Sequence, residues 1–405
     1  MKIPSITRWL HPRSPERMPR RGAIGSAGIA VLLLTGSIAA AMPLADADDV
    51  ETAVSEQAFI AALRQLINDP EGPPAAVAIL QRGHSLRIIA VGVSNLETGD
   101  APLPDQHMWI ASTSKAYSGA VALALVQSGV LRLDDTVGRW LPDTPKAWGS
   151  ITLAQLLQHT SGVPNYANTP DFQNRAITAP REPLPPEKLL SYVYGEPLLF
   201  EPGTQYRYSN SDNVAVALMA QAATGLSYHR LLELLVFGPL DIHETALPTG
   251  FRLPAPSMRG YNIVAGQPPE DVSEALSASF AWASGGMRST PLDQTRFIRG
   301  YIGRKLFGPE MQTAQFDWIA ESHSEPPGPG ANSAGLGVFR YQTRCGVVFG
   351  HTGNYLGYTQ FMAATRNGQR SLIVSVNRQL SETVAPRVLA MLRYAEELGV
   401  CALFR

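Results

Sequence analysis

From residue 55 onward the apolar positions recur with a helical period. Phe59, Leu63, Leu66 and Ile67 fall on one face, Ser55 can cap the first turn, and Pro70 ends the run. Residues 75–80 and 86–93 then read as two strands joined by a tight turn at Arg82-Gly83-His84. The stretch 112–127 carries Val121, Leu123, Leu125 and Val126 and is apolar on several faces, which predicts a buried helix. Gly129 marks its end.

Between about 131 and 269 short helical patches, such as 153–158 and 214–223, alternate with Pro-rich connectors such as Glu182-Pro183-Leu184-Pro185-Pro186. Strand texture returns late. Residues 346–349 precede a Gly-rich stretch, and 360–365 and 371–377 flank the hairpin signal Asn367-Gly368. A last helix is predicted from Pro386 to a stop at Gly399. Strands at both ends with helices between them predict an α+β fold: one antiparallel sheet flanked by N- and C-terminal helices, with an inserted helical subdomain. The sheet part is expected at about 48–111 and 275–405, and the helical part at about 112–274. No internal repeat interrupts this plan.

Composition narrows the function. The chain has 405 residues, 45% hydrophobic and 17% charged, with a formal net charge of -1, which leaves no global basic field for nucleic acid. It lacks zinc-type Cys/His spacing, a GxxxxGK[ST] loop and an HExxH helix, so neither a metal nor an organic cofactor is expected. Arg13, Arg17, Arg20 and Arg21 run into an apolar segment at 23–41, followed by Ala39-Ala40-Ala41 and Ala45-Asp46-Ala47. This is the grammar of a signal peptide over residues 1–47. The competing reading is an N-terminal anchor, the one membrane contact expected. Either way the catalytic part, 48–405, is expected to be exported: periplasmic, cell-surface or secreted. Cys345 and Cys401 are the two cysteines. An oxidising compartment is compatible with a disulfide between them, or with two separate buried thiols.

Three short elements carry chemistry. Ser112-Thr113-Ser114-Lys115 at a helix start puts a nucleophile and a proton acceptor on one face, near the positive end of the helix dipole. Tyr208-Ser209-Asn210 offers a phenol, able to act as a base if nearby positive charge lowers its pKa, and an amide that can hold a substrate amide. His351-Thr352-Gly353 is expected at the end of the strand beginning at Gly346. An edge strand there would let an acyl chain lie alongside, and the N–H of Asn354 would join that of Ser112 in an oxyanion hole. Trp282 can line the pocket or belong to the core.

Together these elements resemble the serine β-lactamase and DD-peptidase superfamily, in order and in spacing. The resemblance extends to Leu156-Leu157-Gln158-His159-Thr160-Ser161-Gly162, Leu133-Asp134-Asp135, Ala283-Ser284-Gly285-Gly286, Ser289-Thr290 and Asp293. It covers the chain from about residue 55 onward and implies the β-lactamase/transpeptidase-like fold. Tyr in the second motif is similar to the class C β-lactamase-like branch. H-T-G in the third resembles exported D-alanyl-D-alanine carboxypeptidases, a likeness that also implies a Cys345–Cys401 bridge.

The resemblance implies an acyl-enzyme on Ser112, with Lys115 and Tyr208 moving protons. Asn210, His351, Thr352, Gly353 and Asn354 would bind the substrate, a small molecule or a peptidoglycan peptide. One departure stands out. Where such carboxypeptidases carry an Arg that holds the substrate's terminal carboxylate, this chain has Phe339, with Arg340 one residue on. A one-residue offset on a strand reverses the face, so carboxylate capture turns on which of the two looks into the pocket. Two alternatives share the same residues: an esterase on this scaffold, and a penicillin-binding sensor or inactive binding module.

Overall fold

The computed structural model of the chain describes residues 47–405. The segment read as a signal peptide or anchor lies, but for its last residue, outside the described residues. Helix α1 spans Ala47–Asn68, and a hairpin follows of β1 (Ala75–Arg82) and β2 (Ser85–Gly92). The helical region begins with α2 (Ser114–Gln127) and includes α3 (Asn210–Thr224) and α4 (Pro291–Ile302). Five more strands then follow: β3 (Ala331–Gly335), β4 (Val338–Thr343), β5 (Gly346–Tyr355), β6 (Tyr358–Ala364) and β7 (Arg370–Val376). Helix α5 (Pro386–Phe404) closes the chain.

The strands form one seven-stranded antiparallel sheet in the order β2-β1-β7-β6-β5-β4-β3. The N-terminal hairpin therefore pairs with the last strand, as expected for a sheet made from the two ends of the chain. Both faces are covered, which is why β1 and β7 read as continuous apolar runs instead of alternating. On one face α1 and α5 pack Phe59, Leu63, Leu66, Val388 and Leu392 over Ala76, Leu80, Leu372 and Val374. On the other, α2 and α4 cover Val77, Ile79, Met362 and Ile373. Each large apolar side chain buried in these layers contributes about 1.5–3 kcal/mol.

Three boundaries differ from the sequence expectation. Helix α1 begins upstream of Ser55, because Ala53, Glu56 and Gln57 around it are compatible with a helix interior. Helix α5 does not stop at Gly399. There a Cβ would sit 2.8 Å from Leu372 and 3.1 Å from Phe59, so this glycine serves close packing and not termination. The extra turn carries Cys401, which is disulfide-bonded to Cys345 with a Cα–Cα distance of 4.9 Å, within the usual range.

The third difference concerns β5, which continues through His351-Thr352-Gly353 to Tyr355 and lies inside the sheet, not at its edge. Its pairing with β4 ends at Phe339↔Gly350, while β6 follows it to Tyr355. Among the described strands, residues 351–355 thus have a neighbour on one side only, and the sheet opens locally at the third motif.

Candidate active site

Ser112 sits in a single 3-10 turn, Ala111–Thr113, that leads into α2. The residue before it, Ala111, has φ of 52°, a left-handed conformation that L-residues hold only when their surroundings impose it. Strand β5 supplies that constraint. A Cβ on Gly353 would lie 2.7 Å from the Ile110 carbonyl oxygen, 3.0 Å from Ala111 Cβ and 3.1 Å from the Ser112 nitrogen. The third motif therefore abuts the backbone of Ser112, and only glycine fits at that point.

Lys115, one helical turn beyond Ser112, is fully buried. Its Nζ lies 3.1 Å from Ser112 Oγ, 2.6 Å from Asn210 Oδ1 and 2.7 Å from the Ser284 carbonyl oxygen. Ser284 belongs to the Ala283-Ser284-Gly285-Gly286 stretch, and its Oγ donates to the Ala281 carbonyl and meets the Tyr166 hydroxyl. That stretch thus supplies a fixed acceptor for the lysine. Burial brings the Lys115 pKa down to about 7, against the opposing pull of Glu325 and Asp212.

Tyr208 precedes Ser209, whose side chain caps α3, and Asn210 is the first residue of that helix. Lys115 Nζ lies 4.8 Å from the centre of the Tyr208 ring. The phenol is buried and faces Ser112, yet its oxygen has no hydrogen-bond partner among the described residues. Burial pushes its pKa well above the ordinary value, and Ser112 lowers it only in part. This direction works against the expected phenolate base.

Behind Tyr208 lies a group that the motif reading did not single out as functional. The ring of His159 stands 4.5 Å from that of Tyr208. His159 Nδ1 is 2.8 Å from Asp212 Oδ2, and Ser161 Oγ donates to Asp212 Oδ1 at 2.5 Å. Burial lowers the His159 pKa to about 3 and raises that of Asp212 well above its ordinary value, which Ser161 and Lys115 oppose. Backbone bonds from Gly203 N to Thr160 O and from Arg207 N to His159 O fix the Tyr208 segment to this support. The signal was present in Leu156–Leu157 and the His159-Thr160-Ser161-Gly162 that follows, but local pattern does not reveal what that loop touches.

The third motif differs in detail from its expected roles. His351 is buried, its Nδ1 is 2.5 Å from the Thr352 carbonyl oxygen, and burial followed by Lys115 lowers its pKa to about 3. It brings no positive charge at neutral pH. Thr352 Oγ1 donates to the Pro326 carbonyl oxygen at 2.6 Å and so holds the loop ahead of β3. Asn354 Nδ2 donates to the Leu380 carbonyl oxygen at 3.0 Å. Trp282 packs against Tyr228 with ring centres 5.3 Å apart and is nearly buried, which makes it a core residue and corrects the pocket-lining expectation.

The strand before the third motif has a definite register. Phe339 stands edge-on to His351, ring centres 5.0 Å apart, and 6.5 Å from Tyr208. Arg340 turns the other way, over the Trp318 ring at 5.6 Å and toward Ser333 Oγ at 3.3 Å. On this strand it is therefore Phe339, and not an arginine, that meets the third motif. Among the described residues no cluster of His, Cys, Asp and Glu could hold a metal ion.

A seven-stranded antiparallel sheet with helices on both faces, and a Ser–Lys–Tyr–Asn group gathered beside its fifth strand, defines the β-lactamase/transpeptidase class of fold. The chain belongs to the Beta-lactamase family, whose model matches residues 59–395. It is 24% identical over 286 residues to Penicillin-binding protein 4* of Bacillus subtilis, covering 67% of this chain and 60% of that protein. The chain thus spans about 60% of the length of this curated relative. The crystal structure of a D-stereospecific amidohydrolase from Streptomyces sp. superposes with a TM-score of 0.72 at 27% identity, covering 84% of this chain and 98% of that one. A D-amino acid amidase from Ochrobactrum anthropi shares the fold, with the same TM-score and coverage at 21% identity.

Proposed function

We propose that the protein hydrolyses aminoacyl or peptidyl amides of the D-series through an ester-linked acyl-enzyme on Ser112. The observation that carries this is the hydrogen-bond geometry of Lys115. A neutral amine has two N–H groups, and here the Asn210 and Ser284 oxygens engage both, which turns the lone pair toward Ser112 Oγ. With a pKa of about 7, a large fraction of Lys115 is neutral at neutral pH and ready to take the serine proton.

In the first half-reaction the Oγ–carbon bond forms, the carbon–nitrogen bond breaks, and the serine proton passes to Lys115. Tyr208, protonated, gives its own proton to the leaving amine and is recharged from Lys115. Water then cleaves the ester by the same route in reverse. The amides of Ser112 and Asn354 hold the oxyanion, a role supported by the tight seat of Gly353 against Ser112. Amide hydrolysis in place of carboxypeptidase action is supported by Phe339 at the arginine position and by the likeness to the D-stereospecific amidohydrolase.

A second reading, a D-alanyl-D-alanine carboxypeptidase or penicillin-binding protein, is favoured by the H-T-G motif and by the relationship to Penicillin-binding protein 4*. Export is supported by the Cys345–Cys401 disulfide and by the leader-like grammar of residues 1–47. Intact-mass analysis with a fluorescent penicillin, alongside turnover of D-phenylalaninamide and D-Ala-D-Ala peptides, separates the readings. Amide turnover that is lost in Ser112→Ala supports the proposal. Peptide turnover with a stable penicillin adduct supports the second reading, and activity that survives Ser112→Ala overturns both.

A further inference from the structure

We infer that Glu325 is the specificity-determining residue of this site and selects acyl groups that carry an ammonium; the inference rests on the acyl-enzyme reading above. Glu325 sits in a loop pinned on both sides to the site. Ser324 Oγ meets the Tyr341 hydroxyl at 3.0 Å and donates to the Pro326 carbonyl at 3.0 Å, and Thr352 Oγ1 donates to that same carbonyl at 2.6 Å. The Tyr206 hydroxyl donates to the His323 carbonyl, so the segment before Glu325 is tied to the second motif as well. The backbone of this residue is thereby held beside the third motif, and the field of its carboxyl reaches both Lys115 and Tyr208.

The Glu325 side chain is exposed, yet its surroundings desolvate it enough to raise its pKa from the ordinary value, against the pull of Lys115, His323 and Arg207; among the described residues no ion pair engages it. The charges around it set the preference. His351 and His159 are neutral, Lys115 is only part-charged at pH 7, and Phe339 stands where a cation would receive a carboxylate. Glu382, also exposed, adds a second negative charge near Glu325. Arg207 and His323 face it from the second-motif side, both exposed. Independently, the buried Tyr208 hydroxyl faces Ser112 and engages no other group among the described residues, which leaves it able to meet a ligand there. A substrate that puts its scissile carbonyl at Ser112 and an ammonium toward Glu325 satisfies both. An unpaired carboxylate beside the third motif also disfavours a substrate with a free terminal carboxylate.

The test compares kcat/KM for D-phenylalaninamide with that for N-acetyl-D-phenylalaninamide in the wild type, Glu325→Gln, Glu325→Asp and Arg207→Gln. Each value is a ratio within one preparation, so the fraction of folded enzyme cancels. The expected result is a wild-type preference for the free amine that falls about tenfold in Glu325→Gln, the scale of one charge-assisted contact, and survives in part in Glu325→Asp. Arg207→Gln should keep the preference. An unchanged ratio in Glu325→Gln overturns the inference, as does a wild type that prefers the acetylated amide. Turnover of peptides with a free carboxylate that depends on Arg207 also overturns it. A burst with p-nitrophenyl acetate, which has no charge for Glu325 to read, reports the acylation machinery separately. A burst present with an unchanged ratio defeats this inference alone, whereas turnover of the ester that survives in Ser112→Ala defeats the acyl-enzyme reading too.

Discussion

Gly353 and Ser112 are in backbone contact: a methyl group on Gly353 would stand 3.1 Å from the Ser112 nitrogen and 2.7 Å from the Ile110 carbonyl oxygen. The nucleophile's turn and the third motif, more than two hundred residues apart in the chain, are therefore one mechanical unit. Gly353→Ala must push the turn away from β5. The expected outcome is a loss of about 100-fold in acylation rate, the cost of moving reacting groups by a fraction of an ångström to an ångström. Stopped-flow acylation by p-nitrophenyl acetate, read against an unchanged circular dichroism spectrum, checks it.

Lys115 gives the pH dependence a definite sign. Its pKa is lowered to about 7, and the neutral form is the one that accepts the serine proton. Thus kcat/KM should rise as pH increases, tenfold per unit below about 7, and level off above it. Lys115→Arg should fall to the level of Lys115→Ala, because a guanidinium stays protonated. A rate that is flat from pH 5 to 8 would exclude Lys115 as the base.

Tyr208 keeps its proton, because burial raises its pKa. Its removal should therefore depend on the leaving group. Tyr208→Phe is expected to lose about 10²–10⁴-fold on amides, whose leaving nitrogen needs a proton. Activated p-nitrophenyl esters, whose leaving group needs none, should still acylate Ser112 at close to the wild-type rate. Equal losses on both substrates would remove Tyr208 from the leaving-group role.

Glu396, on the inner face of α5, is buried, and burial raises its pKa to about 8. A carboxyl with a raised folded-state pKa contributes its full stability below its unfolded value, near 4.5, and loses that contribution as pH rises to about 8. Glu396→Gln carries no charge to desolvate. It should match the wild type near pH 4 and exceed it above pH 8 by several kcal/mol, at most about 5. Denaturant midpoints at the two pH values measure this.

Local features were readable because short-range geometry dictates them. Ser112 and Lys115 are three residues apart on a helix, so sequence spacing alone puts them on one face. Gly129, with φ of 73°, ends α2 as its position implied. The limits of α5 were misread for the opposite reason: Gly399 looks like a stop, and its role appears only once Leu372 and Phe59 are packed against it.

What the chain determines by itself is the α+β plan, the family and the pairing of Ser112 with Lys115. These follow from periodicity, turn chemistry and residues close in sequence. Tertiary structure decides the chemistry of that lysine, because its two other partners, Asn210 and Ser284, are 95 and 169 residues away and burial sets its pKa. It also decides that Phe339 and not Arg340 meets His351, that Trp282 belongs to the core, and that Asp212 and Glu325 bear on the site. Burial and electrostatic field depend on the elements that surround a group, and only the folded chain brings those elements together.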